Sequence, residues 1–506
     1  MTCEGCILFP SATAEGMAMS IQKNGPSPCL SRPVDLQVPT YALRALEVLE
    51  NAGFEAWIVG GWVRDALRGS FAHDIDITTS ATWQQSKAAF VAAGIPVYET
   101  GIAYGTVTAV VEKHPIEVTT YRCDGEYLDG RRPDSVQFVS RIEEDLARRD
   151  FTINAMAYHP KRGLLDLYGG QEDLSACVIR AVGEPKVRFT EDALRMLRAL
   201  RFACRLSFSI EEKTHQALIE CAPLLSQVAA ERIGSEVAQI VEAGHSAHAI
   251  KLGFPVLAIA IPELLPLQNF DQRSPYHAYD VLEHTARVCS ATEAFTAGCA
   301  TPALRWAALL HDIAKPEMFS VDVDGRGHFY GHPEKGAVVA KVLLKRLALS
   351  QHLSNEVCTL VALHDYDVDV TTSSLRHMIA LLAEASKSDG VVLAYNLLTL
   401  KQADALAKAN PYRSYAVTLE AMRELLLHEA KRGIAQHPQE LCVSGAEIME
   451  VLSLQPGPAV GVCQRRLFEL YLAGQVENRQ EDLRFPYWPS LHLKGQKQLI
   501  LRLGSR

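Results

Sequence analysis

The pattern of apolar and polar positions changes once along the chain. In its first part, short alternating runs typical of strands lie between amphipathic runs such as YALRALEVLENAG, a predicted helix that ends at Gly53. The runs FEAWIVGG, HDIDITT, YGTVTAVV and IEVTTYR are predicted strands, and WVRDALRG and ATWQQSKAAFVAAG are predicted helices. From about Asp192 onward almost every segment has helical period. The pattern predicts an α+β fold, in which a small α/β region is followed by a mostly α-helical chain.

Composition narrows the class of protein. Of 506 residues, 48% are apolar and 22% are charged, which is typical of a globular chain and excludes a disordered or collagen-like one. The formal net charge of −9 excludes a uniformly basic nucleic-acid coat, so a nucleic-acid partner must bind local basic surfaces. No apolar run reaches the ~18 residues of a membrane span, and residues 1–34 lack the pattern of a secretory signal. The twelve cysteines indicate reduced thiols, and we expect a cytoplasmic protein with no membrane partner.

Two carboxylates on one predicted strand are the first chemical signal. Asp74 and Asp76 are two positions apart, so on a strand they face the same side. Carboxylates that close repel each other unless a divalent cation lies between them. Glu117, on the later strand IEVTTYR, is a candidate third ligand. A solvated strand face with three acidic residues is the alternative, and the residues alone leave it open.

A glycine turn precedes this strand. Gly60 and Gly61 follow an apolar run and open a helix that carries Arg64. Glycine lets backbone N–H groups approach a phosphate closely, and arginine adds a charge-assisted contact. A phosphate site beside a two-carboxylate metal site indicates nucleotidyl transfer, with Mg²⁺ as the cofactor.

These motifs resemble a known family. The run IVGGWVRDALRG followed by HDIDITT is similar to the head of class II tRNA nucleotidyltransferases, which comprise the CCA-adding enzymes and the bacterial poly(A) polymerases. The resemblance continues through EVTTYR, DGRRPDSVQFV, RRDFTINAMAY, LLDLYGG and EDALRMLRALRFACR, and covers most of residues 41–480. It implies a five-stranded type of sheet in the head. The domain order that we expect is a disordered tail (1–34), the nucleotidyltransferase head (35–175), a helical neck (176–245), a connecting body (246–275), an HD metal-binding domain (276–410) and a helical tRNA-binding tail (411–506).

The segment EDALRMLRALRFACR is predicted to be one helix, with Glu191, Arg195 and Arg198 on one face. Spacing alone also fits an exposed, salt-bridged helix. The resemblance implies that Asp192 and Arg195 act as a template for the incoming base. Asp192 would accept a hydrogen bond from the exocyclic amine of cytosine or adenine, and Arg195 would donate to the adjacent ring nitrogen. Uracil and guanine present the opposite pattern, so CTP and ATP are the expected nucleotides.

Further arginines are expected to bind the rest of the nucleotide. Arg149 of RRDFTINA, with Arg198 and Arg201, would bind the sugar and the triphosphate, and a structural ion pair is the alternative for Arg201. Asp150 and Asn154 would order the same loop.

A second set of candidate ligands lies in the helical part. Four residues follow the ligand order of the HD superfamily of metal-dependent phosphohydrolases, which the segment resembles: His284, His311, Asp312 and Asp404. Imidazoles with carboxylates suit a divalent transition metal or Mg²⁺. His332 and His364 stand where a second metal would take ligands. The region is either a working phosphodiesterase or phosphatase, or a metal-stabilised structural insert.

Two further segments resemble parts of the family. DGEYLDGRRPDSVQF has the composition of a mobile loop that helps to change the site from C to A addition, and PGPAVG at 456–461 lies in the tail that holds the tRNA. The sequence predicts a template-independent enzyme that adds C, C and A to tRNA from CTP and ATP and releases pyrophosphate. A bacterial poly(A) polymerase and an HD phosphohydrolase with an RNA-binding head are the alternatives.

Overall fold

The computed structural model describes residues 35–70, 74–124, 136–274, 278–408 and 414–479. These residues form two compact units, which divide between Pro262 and Glu263. The predicted tail 1–34, most of the predicted loop 124–138 and the segment after residue 479 lie outside the described residues.

The first unit contains a seven-stranded mixed sheet with the order β3-β4-β5-β2-β1-β8-β9. Strands β1 and β2 are antiparallel, whereas β2 and β5 are parallel. Buried apolar side chains of the central strands pack against the first helix, with Ile58, Ile77 and Val118 almost inaccessible to solvent. The strands of this unit are β1 (Ala56–Val59), β2 (Asp76–Thr79), β3 (Val97–Gly101), β4 (Thr106–Val111), β5 (His114–Thr120), β6 (Arg122–Asp124), β7 (Val136–Phe138), β8 (Met156–His159), β9 (Gly163–Asp166), β10 (Val178–Ile179) and β11 (Ser209–Ile210).

The expectation of a five-stranded sheet was wrong. The hairpin β8–β9 extends the sheet beyond β1, and β3 forms the opposite edge. All four residues of β8 are buried and β3 is mostly exposed, so neither strand has the alternating pattern from which a strand is predicted.

The expectation of a single helix over EDALRMLRALRFACR was also wrong. Asp192 has extended backbone angles (φ −141°, ψ 103°) and separates two helices. Its carboxylate accepts a hydrogen bond from the amide of Leu194, the first residue of the second helix, at 3.0 Å. The helices of this unit are α1 (Thr40–Asn51), α2 (Gly61–Leu67), α3 (Trp83–Ala92), α4 (Ile142–Ala147), α5 (Gly170–Ala176), α6 (Pro185–Glu191), α7 (Leu194–Leu206), α8 (Glu212–Cys221), α9 (Ala230–Val241) and α10 (Ser246–Ala260).

The second unit is almost entirely helical. A short hairpin of β12 (Ser320–Val321) and β13 (Gly327–His328) interrupts the helices. Within the described ranges, no helix has an apolar stretch that could cross a membrane. The helices are α11 (Val281–Phe295), α12 (Pro302–Leu310), α13 (His332–Arg346), α14 (Gln351–Leu363), α15 (Thr372–Ser386), α16 (Gly390–Ala407), α17 (Tyr415–Ala430), α18 (Gly445–Leu452) and α19 (Pro458–Leu472).

Candidate functional sites

Two of the three predicted carboxylates, Asp76 and Glu117, lie side by side on neighbouring strands, and the third, Asp74, precedes β2 rather than lying on it. Asp74 and Asp76 are exposed while Ile75 between them is buried, and Asp76 is in register with Glu117 on the neighbouring parallel strand. The pKa of Asp76 is raised to about 6, by desolvation and by the charges of Glu117 and Asp74, although Arg149 opposes the shift. This mutual repulsion is what a divalent cation would relieve, so the donor set fits the expected metal.

A cavity of about 650 Å³ lies next to these carboxylates, and we call it the arginine pocket. Asp76 lines it, as do all of the predicted nucleotide-binding residues, whereas Asp74 and Glu117 do not. Nine arginines and only three acidic residues line this pocket, so it favours a polyanion. Its charged residues are Arg64, Asp76, Arg122, Arg148, Arg149, Asp150, Asp192, Arg195, Arg198, Arg201, Arg205 and Arg232.

The predicted glycine turn forms one wall of the arginine pocket. Gly60 has φ +75° and precedes α2, and a Cβ at this position would lie 3.1 Å from Nη1 of Arg149. Only glycine therefore fits here without strain. Arg64 is buried below the turn, and its Nη1 donates to Oδ1 of Asn154 at 2.8 Å.

Two ion pairs hold arginines of α7 in place. Arg198 donates from Nε and Nη2 to Oδ2 of Asp150, at 2.9 and 2.6 Å. Although burial alone would raise it, Arg198 lowers the pKa of Asp150 to about 2. Arg201 donates to Glu236 at 2.7 Å, so the structural ion pair that was the alternative for Arg201 is present, and this arginine also lines the pocket.

One aromatic ring contacts three of the arginines. The guanidinium carbons of Arg64, Arg198 and Arg201 lie 5.3, 5.5 and 4.5 Å from the centre of the Phe202 ring. These are cation–π distances, and they fix three positive charges around one buried side chain.

The two predicted template residues, Asp192 and Arg195, both line the arginine pocket. Arg195 donates to Glu191 at 2.7 Å and to the carbonyl of Arg148 at 3.0 Å. Asp192 forms an ion pair of 3.3 Å with Arg232. Both side chains are thus held in position before a ligand binds.

Sequence reasoning missed several residues of this pocket. Arg148 stands beside Arg149 in RRDFTINA, Arg122 ends EVTTYR and Arg205 ends EDALRMLRALRFACR, so the motifs themselves offered a signal for these three. Arg232 and Tyr104 also line the pocket, and neither lies in the motifs that carry the resemblance.

The second unit contains a cavity of about 510 Å³, which we call the histidine pocket. Nε2 of His284 lies 3.0 Å from Asp404 and 3.5 Å from Asp312, and Nε2 of His311 lies 3.1 Å from Asp312. The four residues predicted as a ligand set come together, although they are separated by up to 120 positions.

The two additional histidines, His332 and His364, lie near the carboxylate of Asp312. Nε2 of His332 and of His364 lie 3.4 and 3.7 Å from Oδ1 of Asp312, and 3.1 Å from each other. Asp312 therefore belongs to two groups of potential ligands, each with its donor atoms within 4.8 Å of one another. The arrangement fits two metal ions with a shared carboxylate.

Backbone carbonyls orient three of the imidazoles. Nδ1 of His311, His332 and His364 lies 3.1, 2.8 and 2.7 Å from the carbonyl oxygens of Ala308, Phe329 and Val361 respectively. A proton on each Nδ1 leaves the Nε2 lone pair directed at the centre of the cluster, as metal ligation requires.

Lysines balance the buried acids of this pocket. Lys315 and Lys408 lie 2.7 Å from Asp312 and Asp404. Although burial opposes ionisation, the neighbouring histidine and lysine charges hold the pKa of both carboxyls well below the usual range. Sequence reasoning missed Asp365, which lies 3.6 Å from His332, although it directly follows His364 in a second His-Asp pair.

Family models match three parts of the chain. The Poly A polymerase head domain matches residues 56–180, the probable RNA and SrmB-binding site of polymerase A matches 207–252, and the HD domain matches 276–409.

Curated relatives are CCA-adding enzymes. The enzyme of Lactobacillus helveticus is 47% identical over 211 residues, which span 42% of this chain and only 52% of that enzyme. The enzymes of Streptococcus mutans and Enterococcus faecalis are each 33% identical, over 87% and 90% of this chain and 95% and 97% of their own length.

A solved structure agrees with these matches. The Bacillus stearothermophilus CCA-adding enzyme, in complex with CTP, is 27% identical, covers 91% of this chain and all of its own, and has a TM-score of 0.67. Since two relatives at 33% identity align over nearly their whole length, the chain belongs to the family of CCA-adding tRNA nucleotidyltransferases and poly(A) polymerases, in a form that carries an HD domain.

Proposed function

We propose that this chain adds C, C and A to the 3′ end of tRNA from CTP and ATP, without a nucleic-acid template and with release of pyrophosphate. The observation that supports this proposal most directly is the arginine pocket. The glycine turn, Asp192 and nine arginines, one of which is Arg195, line this single cavity, and three carboxylates lie beside it. The name of the Bacillus relative, solved with CTP, supports the same substrate class.

Each residue has a role in this proposal. Arg64, Arg149, Arg198 and Arg201 bind the triphosphate and the sugar, and Asp192 and Arg195 accept and donate hydrogen bonds at the base edge. The tRNA 3′-hydroxyl attacks the α-phosphorus, and pyrophosphate leaves.

Asp74, Asp76 and Glu117 are the residues that would hold the metal, which we propose is Mg²⁺. When bound, this ion would neutralise triphosphate charge and activate the attacking hydroxyl. We place the enzyme in the cytoplasm, with residues 35–175 as its catalytic head and 411–506 as the part that binds tRNA.

The test is incubation of the purified protein with tRNA trimmed of its 3′ end, with CTP and ATP separately and together, followed by sequencing of the 3′ end. We expect two C residues with CTP and a terminal A when ATP is added. Long A tails without C would favour a poly(A) polymerase and contradict the proposal.

The histidine pocket supports a second activity, hydrolysis of a phosphate ester. The observation that favours it is the sharing of Asp312 by two ligand groups, which suits two divalent transition metal ions. Hydrolysis of a 2′,3′-cyclic nucleotide, in which water opens the ring to give a nucleoside 2′- or 3′-monophosphate, is the expected result, retained in Asp76→Ala and lost in Asp312→Ala. A metal-containing protein that does not open the ring would instead make this region a structural insert.

A further inference from the structure

A short hairpin beside the histidine pocket is held rigidly. The carboxylate of Asp322 accepts hydrogen bonds from the amides of Asp324 and Arg326, at 3.0 and 2.9 Å. The same carboxylate lies 2.9 Å from Nε2 of His328. One side chain therefore fixes both the turn of the hairpin and the ring of His328.

His328 presents its ring to a second aromatic residue. The rings of His328 and Tyr330 are stacked, with centroids 5.3 Å apart and planes only 7° from parallel. Both residues line the histidine pocket, and 76% of the Tyr330 surface is exposed. A flat aromatic surface thus stands at the edge of the ligand cluster, open to solvent.

The stacked pair is close in sequence to a candidate metal ligand, because His332 follows Tyr330 by two residues. Gly331, with φ +77°, turns the chain between Tyr330 and His332. The carbonyl of Phe329 lies 2.8 Å from Nδ1 of His332, and the Phe329 ring packs against Phe319. The short backbone from Tyr330 to His332 and the packing of Phe329 against Phe319 therefore determine where the stacked pair lies relative to the ligand cluster.

The same pocket has cationic groups for a phosphate. Lys315, Arg326 and Lys408 line it together with the ligand residues. A volume of about 510 Å³ is large enough for a nucleotide. The pocket thus combines cationic side chains, which suit a phosphate, with the exposed aromatic ring of Tyr330.

We propose that the His328–Tyr330 pair stacks against the base of a nucleoside phosphate whose phosphate group lies at the ligand cluster. This inference rests on the proposed hydrolase function and names the side chains that would make the site prefer nucleotides to sugar or glycerol phosphates. Every base offers a π-face, and removal of one aromatic partner typically weakens binding by about tenfold or more.

The experiment compares two esters of secondary alcohols, one with a base and one without: the mixed adenosine 2′- and 3′-monophosphates, and glycerol 2-phosphate. We expect Tyr330→Ala to lower the ratio of their kcat/KM values about tenfold. Tyr330→Phe, which keeps the ring, should retain the wild-type ratio. Val323→Ala is the matched control, because Val323 is fully exposed on the same hairpin.

A second measurement does not depend on catalysis. Calorimetric titration of the chelator-treated protein with the adenosine monophosphates should show weaker binding by Tyr330→Ala than by Tyr330→Phe. The arginine pocket is unchanged in both variants, so its contribution cancels. Equal affinities together with equal kcat/KM ratios would overturn the stacking proposal. A wild-type protein that hydrolyses neither ester would refute the hydrolase function alone, and the titration would still decide the stacking.

Discussion

The arginine pocket and the histidine pocket both suit phosphate groups, but their charges are arranged in opposite ways. In the first, arginines line the cavity and the three carboxylates of the candidate metal site are exposed. In the second, the six candidate ligands are at most 9% exposed, and the two lysines that line the pocket lie 2.7 Å from Asp312 and Asp404. The exposed carboxylates suit a metal that arrives with the nucleotide, whereas the buried ligands suit metals that are bound before the substrate.

The two pockets also differ in how their side chains are held. In the arginine pocket, guanidinium groups are fixed by ion pairs to Asp150 and Glu236 and by the ring of Phe202. In the histidine pocket, backbone carbonyls orient the imidazoles. Single substitutions in the arginine pocket should therefore weaken nucleotide binding in part, because other contacts remain. Single substitutions in the histidine pocket should instead abolish the binding of a metal ion.

The largest expected effect is that of Asp76→Ala on nucleotide addition. Loss of a central metal ligand should lower the rate by about 10³-fold or more, because the metal supplies several kcal/mol of charge stabilisation. Single-turnover addition of C to trimmed tRNA measures this, and tRNA affinity should be nearly unchanged. Glu99→Ala, an exposed acid on the edge strand β3, is the control. Normal addition by Asp76→Ala would refute the metal assignment.

Metal content provides the second test. Because Asp312 belongs to both ligand groups, Asp312→Ala should bind no metal in the second unit, whereas His332→Ala should lose one of two ions. Elemental analysis of the purified proteins counts the ions, with Asp324→Ala as the control. C addition should continue in both variants. Two ions in Asp312→Ala would contradict the shared-ligand arrangement.

The template assignment predicts a change in specificity. Asp192→Ala removes the acceptor for the exocyclic amine, so kcat/KM for CTP and ATP should fall about 10²-fold. The preference over UTP should fall by a similar factor. Incorporation assays with each nucleotide separately measure both effects. If the variant still rejects UTP as strongly as the wild type does, Asp192 does not read the base.

Phe202→Leu should have a moderate effect. It keeps an apolar side chain but removes the ring that contacts three guanidinium groups, each contact worth about 0.5–2 kcal/mol. We expect KM for CTP to rise roughly five- to thirtyfold with a smaller change in kcat. Phe189→Leu, which removes an equally buried ring from α6, controls for general loss of packing. Equal effects of the two substitutions would mean that the Phe202 ring has no specific role.

The smallest effect is a pH dependence of stability. Because the folded-state pKa of Asp150 is about 2, below its ordinary value of 3.8, the Asp150–Arg198 pair stabilises the fold above about pH 4 and loses this contribution as the pH falls toward 2. Arg198 is partly exposed, so we expect Asp150→Asn to cost only about 1 kcal/mol at pH 7. Urea unfolding between pH 5 and about pH 2 should show this difference shrinking, because the loss occurs between the unfolded and the folded pKa. A difference that is constant with pH would contradict the assignment.

Most of the candidate site could be predicted from sequence because its residues lie in short, ordered motifs. The run HDIDITT predicted that Asp74 and Asp76 are exposed and Ile75 is buried, since the alternation of extended chain is a local property, although β2 itself begins only at Asp76. The order His284, His311-Asp312 and Asp404 marked the second site, although only the packing of α11, α12 and α16 brings these residues together.

Other features could not be predicted, because they depend on contacts distant in sequence. The strand β8 is buried on both faces and so has no alternation, and the extended backbone at Asp192 accompanies an ion pair with Arg232 of α9. The contact of Arg232 with Asp192 joins residues 40 positions apart.

The sequence by itself determined the fold class, the family and the identity of nearly all candidate ligands, because these depend on periodicity and on motifs within a few residues. The tertiary structure alone decided that Asp312 is shared by two ligand groups, that Phe202 contacts three arginines, and that Tyr330 lies at the edge of the histidine pocket. The reason is physical: distances between side chains on different helices are set by how the helices pack, and packing involves the whole chain at once.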